Sequence, residues 1–138
     1  MAKENVESSG LKEKPVRFLI DDVVKFVNRE IRRGNKYDAI IMDPPSFGRS
    51  GNSTVWKLDE VLYDFVKLCI EILVEDPLFV LINSYTTGIG ATVSENILKL
   101  CLKEKKGTFC SYEIGLPTEE GIPLPCGFSA LYYDDSKE

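Results

Sequence analysis

The 138-residue sequence contains no histidine, a single tryptophan and no run of about 18 apolar residues. Without histidine the common zinc constellations cannot form, since the four cysteines show no CxxC spacing: Cys69, Cys101, Cys110 and Cys126. We therefore expect no metal site and no disulfides. The sequence also lacks a signal-peptide pattern and a membrane-spanning run, which predicts a cytoplasmic protein with no membrane partner.

The sequence also has no excess of positive charge. The 22 acidic residues outnumber the 17 basic ones, giving a net charge of -5 that opposes nonspecific attraction to nucleic acid. Five basic residues lie near the motif described next and form either a local basic wall or an ordinary solvated surface: Arg32, Arg33, Lys36, Arg49 and Lys57. The length fits one domain with a sizeable core.

The most informative stretch is residues 37–47, with the sequence YDAIIMDPPSF. Its apolar run predicts a buried parallel strand that ends in Asp43, Pro44 and Pro45. Because ligands in open α/β sheets bind beyond the carboxyl ends of strands, these residues indicate a site. An ordinary turn is the alternative, since Asp-Pro favours turns. We favour the site, because a second proline fixes another φ and removes another backbone donor.

Apolar periodicity elsewhere predicts helices alternating with strands, and hence a mostly parallel, doubly wound α/β sheet. The predicted strands cover 16–20, 38–42, 78–82, 108–115 and 127–133, and the predicted helices cover 2–9, 23 to near Gly34, 58–73 and 93–101. Residues 46–57 carry no period and predict a mobile site loop. The last two strands are joined without a helix, through a proline-rich turn, so the last strand is predicted to be antiparallel.

The stretch 37–47 resembles the fourth motif of S-adenosylmethionine-dependent methyltransferases, in the group of ribosomal-RNA methyltransferases whose fourth strand ends in Asp-Pro-Pro. Residues 21–23 (DDV) resemble the third motif, residues 83–85 (NSY) occupy the place of the motif that ends strand five, and the hairpin 124–127 (LPCG) resembles that of bacterial members. The resemblance covers essentially the whole chain. It implies a Rossmann-like methyltransferase sheet, S-adenosylmethionine as cofactor and ribosomal RNA as substrate.

The resemblance also implies roles for individual residues. Asp22, or alternatively Asp21, would bond the adenine amino group of the cofactor; Asp22 could equally cap the following helix, or do both. Asp43 would lie near the methionine moiety and the target nitrogen, and the carbonyl of Pro44 would help to hold that amine in a turn made rigid by Pro45. Methyl transfer is an in-line displacement, so positioning within ~3 to 3.5 Å is its main requirement.

On the substrate side, Phe47 is a candidate for stacking on a flipped-out base, because Ser46 takes the place where related enzymes carry an aromatic residue. The alternative is a core phenylalanine under the loop. Arg49, Asn83 and Tyr85 complete the candidate substrate-binding residues. Cytosine-C5 methyltransferases carry a cysteine nucleophile at the end of strand four or five, but here Ser46 follows the prolines and residues 83–85 are Asn-Ser-Tyr. The resemblance therefore favours methylation of a nitrogen.

The resemblance departs from this sequence at the cofactor-binding glycine loop. Before residue 16 there is one glycine, Gly10, and neither the glycine-rich first motif nor the ribose-binding acid is present. The chain would thus be the C-terminal part of a methyltransferase domain and would lack the first two strands. In the sheet of the family, those two strands lie between the strands that correspond to 16–20 and 38–42. Either these segments pair directly, or another polypeptide fills the gap, or 16–20 does not hold its place alone.

Two hypotheses follow. The first is a methyltransferase acting on RNA, and the second is a noncatalytic truncated fragment, or an interaction module, that cannot bind the cofactor alone and associates through its incomplete sheet. A P-loop hydrolase is set aside, because the sequence has no Gly-Lys-Ser/Thr element.

Overall fold

The computed structural model describes residues 1–49 and 55–136. The described helices are α1 (Ala2–Ser8), α2 (Val23–Arg33), α3 (Leu58–Ile70) and α4 (Ala91–Cys101). The described strands are β1 (Ala39–Met42), β2 (Phe47–Arg49), β3 (Val55–Lys57), β4 (Phe79–Ser84), β5 (Thr108–Leu116) and β6 (Leu124–Tyr133). The predicted α/β class is confirmed.

Four strands form one sheet in the order β1-β4-β6-β5. β1 and β4 are parallel, and β6 is antiparallel to both β4 and β5. Three strands therefore run in one direction while β6, the last in sequence, runs in the other. This confirms the predicted Rossmann-like sheet, mostly parallel with an antiparallel last strand.

The two faces of this sheet differ in burial. Along β4, Val80, Ile82 and Ser84 are buried, while the alternating residues are half-buried. The buried face joins apolar side chains of α3 and α4 in one core, including Leu58, Leu62, Phe65, Val66, Cys69 and Leu98. On β1, Met42 belongs to this core, whereas its neighbour Ile41 is 65% exposed on the opposite face.

Local signals set the ends of α2. Asp22 is its N-cap, and the carboxylate of Asp22 accepts a hydrogen bond of 3.0 Å from the backbone N–H of Lys25. Gly34 ends the helix in the left-handed conformation, with φ of 69°. The predicted helix from residue 23 to near Gly34 is confirmed at both ends.

The predicted strand 16–20 is wrong. This segment has no strand pairing with any residue that the structure describes, and its large apolar side chains are exposed: Val16, Phe18, Leu19 and Ile20. Alternating apolar residues favour a strand, but a strand needs a neighbour for its backbone groups, and β1 pairs only with β4 within the described sheet.

Other element bounds differ from prediction by one to three residues, and two stretches also differ in their strand pairing. The ends of the predicted loop 46–57 form a short antiparallel pair, β2 with β3, while residues 50–54 lie outside the described part. β6 begins three residues earlier than predicted, because the ladder with β5 continues past an irregularity between Ile114 and Gly115. Cys126 is the extra residue there, which lets Pro125 and Leu124 pair despite the proline.

Candidate functional site

Two chain corners meet at the carboxyl ends of β1 and β4. The strands are parallel and in register from Ala39↔Phe79 to Met42↔Ile82. The residues that follow Met42 are Asp43, Pro44 and Pro45, and β4 ends with Asn83 and Ser84. The structure therefore brings the Asp-Pro-Pro turn beside the Asn-Ser-Tyr turn, at the edge where α/β sheets bind ligands.

Hydroxyl groups join these two corners. The hydroxyl of Thr86 donates a hydrogen bond of 2.7 Å to the hydroxyl of Ser46, and the backbone N–H of Thr86 donates one of 3.1 Å to the hydroxyl of Ser84. The carbonyl of Ser46 accepts a further bond of 3.1 Å from the backbone N–H of Leu58, the first residue of α3. The turn after the prolines is thus tied both to β4 and to the next helix.

The side chain of Trp56 also stabilises the Asp-Pro-Pro turn. Its Nε1–H donates a hydrogen bond of 2.8 Å to the carbonyl of Pro45. Its ring meets the ring of Phe65 edge-on, with centroids 5.2 Å apart and planes at 87°. Trp56 is half-buried, and this bond both satisfies its indole N–H and orients a proline carbonyl.

The candidate site residues differ in exposure. Pro44 is buried, whereas Asp43 and Pro45 are exposed. Phe47 is 59% exposed and Tyr85 is 64% exposed, so Phe47 is not the core residue that the alternative interpretation proposed. Two aromatic rings therefore stand in solvent near a carboxylate.

Two other candidate residues have defined surroundings. The side-chain oxygen of Asn83 accepts a hydrogen bond of 2.6 Å from the hydroxyl of Ser129 on β6, which fixes the amide of Asn83 beside the corner. Arg49 ends β2, and its side chain lies outside the described part of the structure.

Gly127 allows β6 to approach the corner closely. Its φ is 140°, and a Cβ at this position would lie 2.7 Å from the carbonyl oxygen of Ser84 and 3.5 Å from the Cβ of Tyr85. Any larger residue would push the strand away from the end of β4. The hairpin 124–127 thus forms the back wall of the Asn-Ser-Tyr turn.

The two acids before α2 are both engaged. Asp22 caps the helix, as the capping alternative proposed. The carboxylate of Asp21 accepts hydrogen bonds from the guanidinium of Arg29 and from the backbone N–H of Asp22. The bond from Arg29, more than any other cause, lowers the pKa of Asp21 below its ordinary value.

A groove of about 520 Å³ opens beside the Asp-Pro-Pro turn. Its lining comes from α2 (Val23, Phe26 and Val27), from β1 and its turn (Ala39 to Pro45), and from Trp56, Phe65, Cys69 and Ile72. Nearly all of these side chains are apolar, and Asp43 is the one carboxylate among the lining residues. The groove can therefore hold an apolar group beneath a charged rim.

A buried carboxylate near the start of β1 was not predicted from sequence. Glu30 is buried, and it accepts hydrogen bonds from the hydroxyl of Tyr37 (2.6 Å), the amide of Asn35 (2.8 Å) and the guanidinium of Arg33 (2.9 Å). These bonds, with that of Tyr37 the largest cause, lower the pKa of Glu30 to about 2. The only sequence signal was its spacing of three from Val27, on the buried stripe of α2.

The basic residues near the motif make local contacts. Arg33 pairs with Glu30, Lys57 pairs with Glu60 at 2.7 Å, and the ammonium of Lys36 donates to the carbonyl of Glu71. These contacts favour the ordinary solvated surface over a basic wall.

The described part of the structure adds three observations that concern cysteines, metal ions and membranes. All four cysteines are free, and residues 1–49 and 55–136 contain no group of three or more acidic or thiol side chains arranged to hold a metal ion. None of the helices within those residues is long and apolar enough to cross a membrane.

No family model matches this sequence. The ribosomal RNA large subunit methyltransferase I of Erwinia tasmaniensis is 44% identical over 52 residues, which are 38% of this chain and 13% of that protein. The SAM-dependent methyltransferase from Agrobacterium tumefaciens superposes with a TM-score of 0.80 at 29% identity, over 96% of this chain and 44% of the other. A methyltransferase complexed with SAH superposes with a TM-score of 0.70 at 18% identity, over 94% and 34%.

The chain has the Rossmann-like fold of these SAM-dependent methyltransferases. It spans 13% of the length of the Erwinia relative and less than half of each of these two structures. Over 38% of its length its sequence is similar to a ribosomal RNA large subunit methyltransferase I.

Proposed function

We propose that the Asp-Pro-Pro corner and the Asn-Ser-Tyr corner form the methyl-acceptor site of an S-adenosylmethionine-dependent methyltransferase that modifies a nitrogen of ribosomal RNA. Residues 1–138 would be the C-terminal part of that domain. The observation that carries the proposal is the in-register parallel pairing of β1 with β4, which places Asp43 and Asn83 at one edge, joined by the bond between Thr86 and Ser46.

The chemistry needs the acceptor to be positioned and little more. S-adenosylmethionine supplies an electrophilic methyl group on a sulfonium. Asp43 is exposed at the rim of the groove and would attract an amino group, which the carbonyl of Pro44 would orient with its lone pair toward the methyl carbon. As the new carbon–nitrogen bond formed, the carbon–sulfur bond of the sulfonium would break and S-adenosylhomocysteine would leave, and the methylated nitrogen would then lose its proton to Asp43 or to water. The rigid prolines keep these oxygens in place throughout.

The residues present fit the cofactor in part. The groove offers an apolar wall and the carboxylate of Asp43 at its rim. The acids implied for adenine binding are already engaged, since Asp22 caps α2 and Asp21 accepts from Arg29. An adenine amino group would have to share the carboxylate of Asp22 with the backbone N–H of Lys25.

The exposed rings favour a nucleobase as substrate. Phe47 and Tyr85 each present more than half of their surface to solvent beside the corner. Stacking on an aromatic side chain contributes about 1 to 3 kcal/mol per base. RNA as the polymer is inferred from the name of the Erwinia relative, and nitrogen as the acceptor from Ser46 and the Asn-Ser-Tyr turn, where a cysteine nucleophile would otherwise stand.

Isothermal titration with S-adenosylmethionine tests the proposal. Micromolar binding to the 138-residue chain, abolished by Asp43→Ala, supports a methyltransferase. The matched control is Asp64→Ala, which removes an exposed acid of α3 that does not line the groove and should leave binding unchanged. Absence of measurable heat favours the second candidate.

That second candidate is a noncatalytic fragment or interaction module. It is favoured by one observation: segment 16–20, which the resemblance makes part of the sheet beside the cofactor, lies unpaired and exposed. A chain with this segment displaced would keep the acceptor corner without a cofactor site.

A further inference from the structure

A second crevice opens between the Asn-Ser-Tyr turn and the strands β5 and β6. Its volume is about 400 Å³, within the ~300 to 1,000 Å³ of small-ligand sites. The crevice is lined by residues 85–87 of the turn, residues 89–91 at the start of α4, and residues 113 and 125–128 of the two strands. Among the described residues, none lines both this crevice and the groove beside the Asp-Pro-Pro turn, so the two are separate.

Strand pairing places a carboxylate in the wall of this crevice. Ser84 on β4 and Glu113 on β5 both lie opposite Phe128 on β6. Directly opposed residues of antiparallel strands point to the same face, so the three side chains form one row. Ser84 and Phe128 are buried, whereas Glu113 is exposed and lines the crevice. None of the ion pairs found within residues 1–49 and 55–136 involves Glu113.

The lining favours a ligand that donates hydrogen bonds to a carboxylate. Glu113 is the one charged side chain among the described lining residues, so a phosphate group would find no lysine or arginine to pair with. α4 begins at the crevice with Gly90 as its N-cap and without a side-chain cap, which leaves backbone N–H groups of its first turn available to a carbonyl oxygen. Tyr85 adds an exposed aromatic ring at the rim.

Guanine matches these groups better than the other nucleobases do. Its N1–H and N2–H groups are neighbouring donors on one edge, so a carboxylate can accept two parallel hydrogen bonds from them, as it does from a guanidinium. Its O6 lies next to N1 and can accept from a backbone N–H. Adenine and cytosine each present one amino group beside a ring-nitrogen acceptor. The single Watson–Crick N–H of uracil lies between two carbonyl oxygens, which a carboxylate repels.

Glu113 and Asp43 are too far apart to contact the same base. In the sheet order β1-β4-β6-β5, three strand spacings of ~4.8 Å separate β1 from β5, about 14 Å in all. We propose that the crevice beside Glu113 binds a guanine of the RNA substrate, in a nucleotide near the methylated one, and that Tyr85 stacks on this base. This inference rests on the proposed function, because it assumes that the substrate is RNA.

Titration with the four nucleoside 5′-monophosphates tests the crevice, with binding followed by two-dimensional NMR of the isotope-labelled chain. The four ligands share the same ribose and phosphate, so differences in affinity report on the base alone. We expect GMP to bind at least about tenfold more tightly than UMP, because a bidentate pair discriminates between bases to that extent. The signals that shift should be those of residues 86–91 and 127, which line the crevice.

Glu113→Gln should weaken GMP binding at least about tenfold and remove the preference over UMP, because the amide keeps only one acceptor oxygen. Glu120→Gln is the matched control: Glu120 is exposed in the turn between β5 and β6, does not line the crevice, and should leave binding unchanged. Both positions are exposed, so circular dichroism should show both variants folded. Tyr85→Ala should weaken the binding of all four nucleotides, and Tyr85→Phe should retain it, since stacking needs only the ring.

The outcomes separate this inference from the proposed function, because the titration contains no S-adenosylmethionine. Absence of GMP binding, equal binding of the four nucleotides, or a GMP affinity that Glu113→Gln leaves unchanged overturns the guanine site, even in a chain that binds the cofactor. Asp43→Ala should abolish cofactor binding and leave GMP binding intact. A preference for GMP in a chain that never binds the cofactor would support the guanine site and count against the methyltransferase alone.

Discussion

The indole N–H of Trp56 and the carbonyl of Pro45 are hydrogen-bonded at 2.8 Å, which fixes the proline turn to the strand that leads into α3. The bond crosses eleven positions of sequence, and the ring that makes it packs edge-on against Phe65. The rigidity of the acceptor corner therefore depends on a residue outside the motif.

Trp56→Phe tests that dependence. The variant keeps an aromatic ring near Phe65 but loses the donor, and we expect it to lower the free energy of unfolding by about 1 kcal/mol. Urea unfolding should be followed by circular dichroism, because Trp56 is the sole tryptophan of the sequence. Tyr63→Phe, on the exposed side of α3, serves as the control and should stay within about 0.5 kcal/mol of the parent. Equal stability of both variants would contradict the role of Trp56.

Glu30 should make the fold sensitive to acid. Its pKa is about 2 in the folded chain against an ordinary 4.5, so the folded state holds the charged form more strongly than the unfolded state does. The stabilisation is complete above pH 4.5 and is lost as the pH falls toward about 2. Glu30→Gln should remove this part of the pH dependence, and Tyr37→Phe should move it to higher pH. Unfolding curves across that window provide the measurement, and a parent and Glu30→Gln variant with identical pH dependence would refute the assignment.

Gly127→Ala should destabilise the fold by about 2 kcal/mol or more, because the new Cβ meets the Ser84 carbonyl oxygen and the backbone holds a positive φ. Gly48→Ala is the matched control, since a Cβ there finds its nearest contact at 3.8 Å, on Trp56. Thermal unfolding of the two variants decides the matter. A loss of equal size in both would mean that β6 does not need the close approach.

The four cysteines should react with Ellman's reagent in a set order. Cys126 is exposed and should react first, whereas burial on α3 raises the pKa of the Cys69 thiol to about 11. We expect Cys69 to react only after unfolding. Cys126→Ser should remove the fastest phase and leave the slowest one unchanged. Rapid modification of Cys69 in the native chain would show that the groove beside it opens to solvent.

Several elements could be predicted because their signals are local. The apolar run before Asp43 predicted β1, and Asp22 and Gly34 marked the ends of α2, since capping and αL geometry depend on a few neighbouring residues. The meeting of the two corners followed from the rule that parallel strands end at one edge.

The errors concern contacts between distant parts of the chain. Segment 16–20 has a strand pattern, but its pairing requires a neighbour that no local pattern specifies. The network around Glu30 needs Tyr37 to arrive from the next strand, and the Trp56 bond depends on a turn eleven residues away. β6 extended through Pro125 because one extra residue restores pairing, a geometric adjustment that composition does not reveal.

The exposed face of the sheet has a practical consequence for handling the protein. The face of the sheet away from the helical core exposes an apolar patch to solvent, formed by Ile41, Tyr133 and the half-buried Leu81. We expect overproduced chain to be captured by chaperones and to enter inclusion bodies unless that area is masked. The amount of the protein in the soluble fraction of the lysate should therefore rise in the Ile41→Thr variant. Threonine is β-branched and suits a strand, but it carries a polar hydroxyl.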